Sequence, residues 1–203
     1  MRSLAATSLS LVLTAASVVA IGGCATQSVT PLSPAPAQFT PRAIANTFEV
    51  GGRIAARDTG DSKRGFSGAF TWNHTAANDV VELITPLGQL AARVTLSHGS
   101  ATVEQADGQR TVTNEPERYI EQAMGITLPL SALPYWMQGA PVPGVARRSE
   151  TDSVGRLSVL WQNGWQIRYG EYSGDASDAR PAKLDLSQGS VEARILISEW
   201  KAQ

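Results

Sequence analysis

The chain has 203 residues, 42% hydrophobic, 17% charged and 6% aromatic, a balance that fits one ordinary globular domain and excludes collagen-like, coiled-coil and wholly disordered chains. Its formal net charge of -1, with no long run of like charges, lacks the basic stripe of a nucleic-acid binder. One cysteine, Cys24, and two histidines, His74 and His98, allow no intrachain disulfide and are too few for the usual zinc sites, so neither a metal nor a cofactor is expected.

Residues 1–23 begin with Met1-Arg2, continue through an apolar core from Leu4 to Ile21 and end on Gly22-Gly23. This is the layout of a secretory signal: one positive charge, an apolar middle and small residues at the cut. A transmembrane helix is the rival reading, but no Lys or Arg stops the segment before Arg42. Residues 24–46 follow as a tether. Pro31, Pro34, Pro36 and Pro41 stand among Ser, Thr, Gln and Ala with little to bury, which predicts an extended, semi-rigid linker rising roughly 3 Å per residue.

The folded domain is expected over 47–203, where period-two alternation recurs. Phe48, Val50, Ile54 and Ala56 share one face across Gly52. Phe66-Gly68-Phe70-Trp72, Val81 with Leu83, Leu90-Ala92-Val94-Leu96, and Ala101 with Val103 follow, separated by Gly, Asp, Asn or Ser. Between these strands and the later ones, Asn114 with Glu117 and Pro116 reads as a capped helix start that Gly125 stops. A second short helix is expected at Ser131–Gly139, between Pro129 and Pro141. Leu157-Val159-Trp161 then enters Asn163-Gly164 and leaves through Trp165-Ile167-Tyr169, a hairpin signal because Asn-Gly suits the positive φ of a type I′ turn. Leu184-Leu186 and Val191-Ala193-Ile195-Ile197 complete the set.

The expected fold is mainly β with minor α, an antiparallel sheet of about ten strands. A sheet of that size curls strongly. It should either stay open and strongly curved or close on itself, and helices covering its mouth or concave face would enclose an apolar hollow.

Four stretches together resemble the LolB family of outer-membrane lipoprotein receptors. They are Phe48-Glu49-Val50-Gly51-Gly52-Arg53-Ile54-Ala55; Phe70-Thr71-Trp72 leading to Pro86-Leu87-Gly88; Leu128-Pro129-Leu130 through Trp136 to Gly139-Ala140-Pro141; and Gln162-Asn163-Gly164-Trp165-Gln166-Ile167-Arg168-Tyr169. Ile21-Gly22-Gly23-Cys24 also resembles the bacterial lipoprotein cleavage box. That resemblance implies a mature chain starting at Cys24, its sulfur carrying a diacylglycerol and its amine a further acyl chain. Ala25, in place of Asp, then implies sorting to the outer membrane, with the domain facing the periplasm.

The family resemblance implies a monomeric half-barrel, an unclosed antiparallel barrel with one or more helices covering or plugging an apolar cavity, that accepts client lipoproteins from the periplasmic carrier LolA and passes them to outer-membrane lipid. The cargo itself demands a greasy hollow, since three chains with more than forty methylenes would cost tens of kcal/mol in water at roughly 0.8 each. Phe70, Trp72, Leu83, Leu96, Leu133, Trp136, Trp161, Ile167 and Ile195 are the candidate lining residues, with ordinary core packing as the competing reading for each. Leu87, between Pro86 and Gly88, is expected at a hairpin tip. The family carries an exposed leucine there that helps lipoproteins enter the membrane.

Two rival classes stand beside this reading. A lipid-acting hydrolase lacks support from motifs: there is no Gly-x-Ser-x-Gly elbow and no His-Glu-x-x-His, and Ser198-Glu199-Trp200-Lys201 matches Ser-x-x-Lys without its companion motifs. His74 and His98 read as solvated loop residues. The other rival is an envelope scaffold binding a protein partner through its tryptophans or a sheet edge. Arg53, Arg57 and Arg93 on strand faces are candidates for contact with an acidic carrier.

Overall fold

The structure, a computed structural model, describes residues 38–97 and 99–202. The signal segment, Cys24, most of the tether and His98 lie outside the described residues. Eleven strands and two helices follow in chain order: β1 (Phe48–Asp58), β2 (Gly65–His74), β3 (Asn78–Ile84), β4 (Leu90–Ser97), β5 (Ser100–Gln105), β6 (Arg110–Thr113), α1 (Pro116–Met124), α2 (Leu133–Trp136), β7 (Arg147–Thr151), β8 (Leu157–Gln162), β9 (Trp165–Tyr172), β10 (Pro181–Gln188) and β11 (Val191–Ala202). Neither helix is long and apolar enough to cross a membrane.

All eleven strands join one antiparallel sheet in the order β6-β5-β4-β3-β2-β1-β11-β10-β9-β8-β7. The chain therefore meanders outward from β1 to the edge at β6, crosses through α1 and α2, and re-enters at the opposite edge, β7. A single cluster of buried side chains draws on both halves, from Val103 of β5 to Leu160 of β8, together with Ile120 of α1 and Trp136 of α2. One core shared by nine of the eleven strands, all but the edges β6 and β7, requires the sheet to curl around the crossing segment, which makes an unclosed barrel with the helices on its concave side. Among the described residues every strand and every core side chain lies beyond residue 38, so a chain beginning at Ala25 contains all of them.

Two mid-strand glycines mark close approach. A side chain on Gly52 would meet the Leu196 carbonyl oxygen at 1.9 Å, where β1 and β11 shift register, and one on Gly68 would meet the Ile84 carbonyl oxygen at 2.0 Å. The type I′ hairpin is present, with Asn163 at φ 53° and Gly164 at φ 78°.

Several local expectations change. Asn114 does not cap α1; Glu115 occupies that position without a side-chain capping bond, and Pro116 opens the first turn. Gly125 does end α1 in the left-handed region, at φ 73°. The second helix is only Leu133–Trp136, flanked by turns. β6 and β7 add polar strands that alternation does not reveal, and both are sheet edges, where charged residues discourage pairing with other chains.

Candidate functional site

Beneath the crossing segment lies a crevice lined only by apolar side chains. The sheet supplies Ile54, Phe70, Trp72, Val81, Leu83, Val94 and Ile195. The crossing segment supplies Ile120, Leu128, Leu130, Leu133 and Met137. Its free volume is about 30 Å³, room for little more than a water molecule. The hollow is thus closed and nearly filled by the segment that covers it.

Of the nine side chains expected to line a cavity, Phe70, Trp72, Leu83, Leu133 and Ile195 lie on this wall. The other four lie elsewhere. Trp136 and Ile167 are fully buried in the body of the core, outside the crevice lining. Leu96 is half-buried and borders a separate surface groove of about 520 Å³. Trp161 faces away from the core, with the Arg148 guanidinium 3.7 Å from its ring centre. The reason is hairpin parity: Gln162 pairs with Trp165 and Leu160 with Ile167, so Leu160 and Gln162 share the inner face and Trp161 takes the outer one.

Two buried glutamines fix the later part of the crossing segment. Gln162 of β8 accepts from Trp136 Nε1 at 3.0 Å and from the Val142 amide at 2.8 Å, and donates to the Val142 carbonyl at 2.9 Å. Gln138 accepts from the Ala45 amide at 2.8 Å and donates to the carbonyls of Ala45 and Pro134, at 3.2 and 3.0 Å. The end of the tether is thereby bonded directly to the turn that follows α2.

At the β3–β4 turn, Leu87 is 87% exposed, more than any other large apolar side chain described. The turn is built, not slack. Thr85 accepts from the Gly88 amide at 2.9 Å and donates to the Gln89 carbonyl at 2.8 Å, Pro86 fixes the second position, and Gly88 adopts φ 81°. A leucine held outward by that geometry has nothing of its own chain to pack on.

His74 is not a solvated loop residue. It ends β2 half-buried, stacks on Phe48 with ring centres 4.7 Å apart, and places Nδ1 2.6 Å from Asp79, which also accepts from Trp72 Nε1. The ring completes the end of the core, and Phe48 stacks on Trp200 on its other side. Ser198 is the extra residue of the bulge where β1 and β11 shift register, and it and Lys201 each bond elsewhere. Lys201 pairs with Glu49, and the Ser198 hydroxyl donates to the Gly51 carbonyl, so they form no dyad. Arg57 and Arg93 are paired with carboxylates, Arg57 with Glu192 and Arg93 with Glu82 and Glu104. Among the described residues no cluster of His, Cys, Asp or Glu has metal-site geometry.

The chain is 34% identical over 160 residues to the outer-membrane lipoprotein LolB of Azoarcus sp., covering 79% of this chain and 81% of that one. It is 31% identical over 181 residues to the LolB of Chromobacterium violaceum, covering 89% and 93%. Among solved structures, a DUF1329 family protein from Desulfovibrio piger shares the fold at TM-score 0.50 and 7% identity, over 78% of this chain and 86% of that one. The family model for outer membrane lipoprotein LolB matches residues 46–200, which span the curled sheet but for the last two residues of β11, its crossing segment and the Leu87 turn. The chain belongs to the outer-membrane lipoprotein LolB family.

Proposed function

We propose that this chain, anchored through acyl chains on Cys24, is the outer-membrane receptor that takes lipoproteins from the periplasmic carrier LolA. In this reading it holds their acyl chains in the crevice under the crossing segment and releases them into the membrane through the Leu87 turn. The observation that carries the reading is the apolar crevice itself, a hollow without a polar group, closed by a segment that joins the two free edges of the sheet. Because its free volume of about 30 Å³ cannot take an acyl chain, loading requires part of the covering segment to move. The lining side chains would then exchange contacts with one another for contacts with methylene groups, each worth about 0.8 kcal/mol relative to water.

Leu87 supplies a second, smaller contribution. Burying one leucine in a bilayer stabilises by about 2 kcal/mol, enough to bias contact toward the membrane and too little to hold the domain there. Lasting attachment would rest on the acyl chains at Cys24, since two or more chains anchor stably.

The test uses the chain from Ala25 onward, carrier loaded with labelled lipoprotein, and liposomes. Transfer of label from carrier to this chain, then to liposomes, is the expected result. Leu87→Glu should leave stability within about 0.5 kcal/mol, since nothing packs on that side chain, and should leave uptake intact while delivery falls steeply. Undiminished delivery by that variant would remove Leu87 from the mechanism. A folded chain that takes up no label would instead favour an envelope scaffold.

A further inference from the structure

Beyond the crevice, a groove of about 880 Å³ lies on the opposite face of the sheet. Strand register shows how it is built. One cross-strand row runs Ser67, Ala55, Arg194, Asp185, Arg168, and the next runs Gly65, Arg57, Glu192, Ser187, Gln166. These positions alternate with the buried Ala56, Ala193, Leu186 and Ile167, so their side chains leave the core face. Lys63 and Arg64, in the β1–β2 turn, form the rim.

The lining carries five cations, Arg57, Lys63, Arg64, Arg168 and Arg194, against two anions, Asp185 and Glu192. Its net of +3 stands in a chain of net charge -1. Glu192 is engaged by Arg57 at 2.7 Å and Asp185 by Arg194 at 2.6 Å. Arg64 has Asp58 at 3.6 Å. Lys63 and Arg168 have no carboxylate partner among the described residues, and both are exposed; Arg168 lies beside the Gln166 side-chain amide.

The register also places this groove at the Leu87 end of the sheet. β3 ends where Ile84 pairs with Ala69, so the Leu87 turn lies beside Gly68 and Ser67 of β2, level with the β1–β2 turn. The turns after β8 and β10 lie at the same end, while Phe48 lies at the other. An exposed leucine and a cationic groove therefore share one pole.

We propose that this groove docks the domain on a bilayer by binding the phosphate groups of anionic phospholipids, orienting Leu87 toward the membrane during delivery. The inference rests on the receptor reading above. Lipid phosphates suit the surface better than a protein partner does. The lining holds guanidinium and ammonium groups among small residues, and no exposed large apolar side chain that could serve as the core of a protein interface.

The experiment floats the chain from Ala25 onward with vesicles of phosphatidylcholine alone, or of phosphatidylcholine mixed with phosphatidylglycerol. Binding to the anionic vesicles should be stronger and should fall with added salt. Lys63→Ala combined with Arg168→Ala should weaken it about 25-fold, about fivefold for each charge, without changing binding to phosphatidylcholine. Both side chains are exposed, and unchanged thermal unfolding would verify that the double variant folds. Equal binding to the two vesicle types, or an unaffected double variant, would overturn the proposal. Displacement by millimolar inorganic phosphate would assign the groove to a free anion. Lost uptake from the carrier with vesicle binding intact would assign it to an acidic protein; either result overturns bilayer docking. Delivery into phosphatidylcholine vesicles should survive in the double variant, and a wild-type chain that delivers to neither vesicle type would count against the receptor reading instead.

Discussion

The stretch around α2 is pinned by two buried glutamines, one bonding it to the sheet and the other to the backbone of Ala45, whereas the stretch around α1 rests on apolar contacts and a few polar ones at its margins. Gln162 and Gln138 between them engage Trp136, Val142, Ala45 and Pro134. For α1, the Tyr119 hydroxyl accepts from Gln105 at 2.7 Å and donates to Thr111 at 3.3 Å, and Glu117 accepts from Ser131. The Arg64 side chain lies against Gly125 at its end. Breaking buried, fully paired amides is expensive, while lifting an amphipathic helix off an apolar wall exposes only its one face. The difference assigns the two stretches different duties. The part after Ala132 should stay fixed when the cover opens, and the part from Pro116 to Leu130 should be the section that rises.

The largest expected effect breaks the fixed side. Gln162→Leu keeps much of the volume but leaves Trp136 Nε1, the Val142 amide and the Val142 carbonyl without their partner. Each buried group so stranded costs about 1–3 kcal/mol, giving a loss of about 4 kcal/mol in urea unfolding after partial relaxation. A loss below about 1 kcal/mol would show that the α2 stretch is held by packing alone, and the proposed asymmetry would fail.

These glutamines also show where sequence reading stops. Alternation exposes most strands because one face of each is buried, and Asn163-Gly164 exposes its hairpin through backbone chemistry. Hydrophobicity alone then puts Trp161 inside, although a two-residue turn pairs Gln162 with Trp165 and so commits the glutamine inward. The parity was legible; the partners that make a buried glutamine affordable were not, because Trp136 and Val142 are 26 and 20 residues away. β7, Arg-Arg-Ser-Glu-Thr, carries no burial signal because it is an edge. Leu87 was legible for the opposite reason, since Pro and Gly on either side force a turn whatever the tertiary context. The size of the crevice follows from how far the crossing segment fills it, which no local pattern encodes.

An intermediate pair of effects sharpens the comparison. Met137→Ala and Ile120→Ala each remove a buried side chain from the crevice wall, one from each stretch. On the pinned side the wall cannot collapse, so Met137→Ala should cost about 3 kcal/mol and leave a persistent cavity. On the α1 side the helix can settle inward, and Ile120→Ala should cost about 2 kcal/mol. A fluorescent fatty acid should therefore bind the Met137 variant more tightly than the Ile120 variant. Equal affinities would mean that both stretches relax alike.

The smallest effect isolates the movable side. Tyr119→Phe removes only the hydroxyl that joins α1 to β5 and β6, leaving the ring in place. It should lower global stability by about 1 kcal/mol. Local opening of α1 does not need the α2 bonds to break, so its amides should exchange with solvent about fivefold faster while those of Leu133 to Gln138 keep their wild-type protection. Acyl-chain uptake should quicken in step with the α1 amides, because the same opening admits the ligand. If protection instead falls equally on both sides of Ala132, the crossing segment opens as one body, and the buried glutamines must break each time a lipid enters.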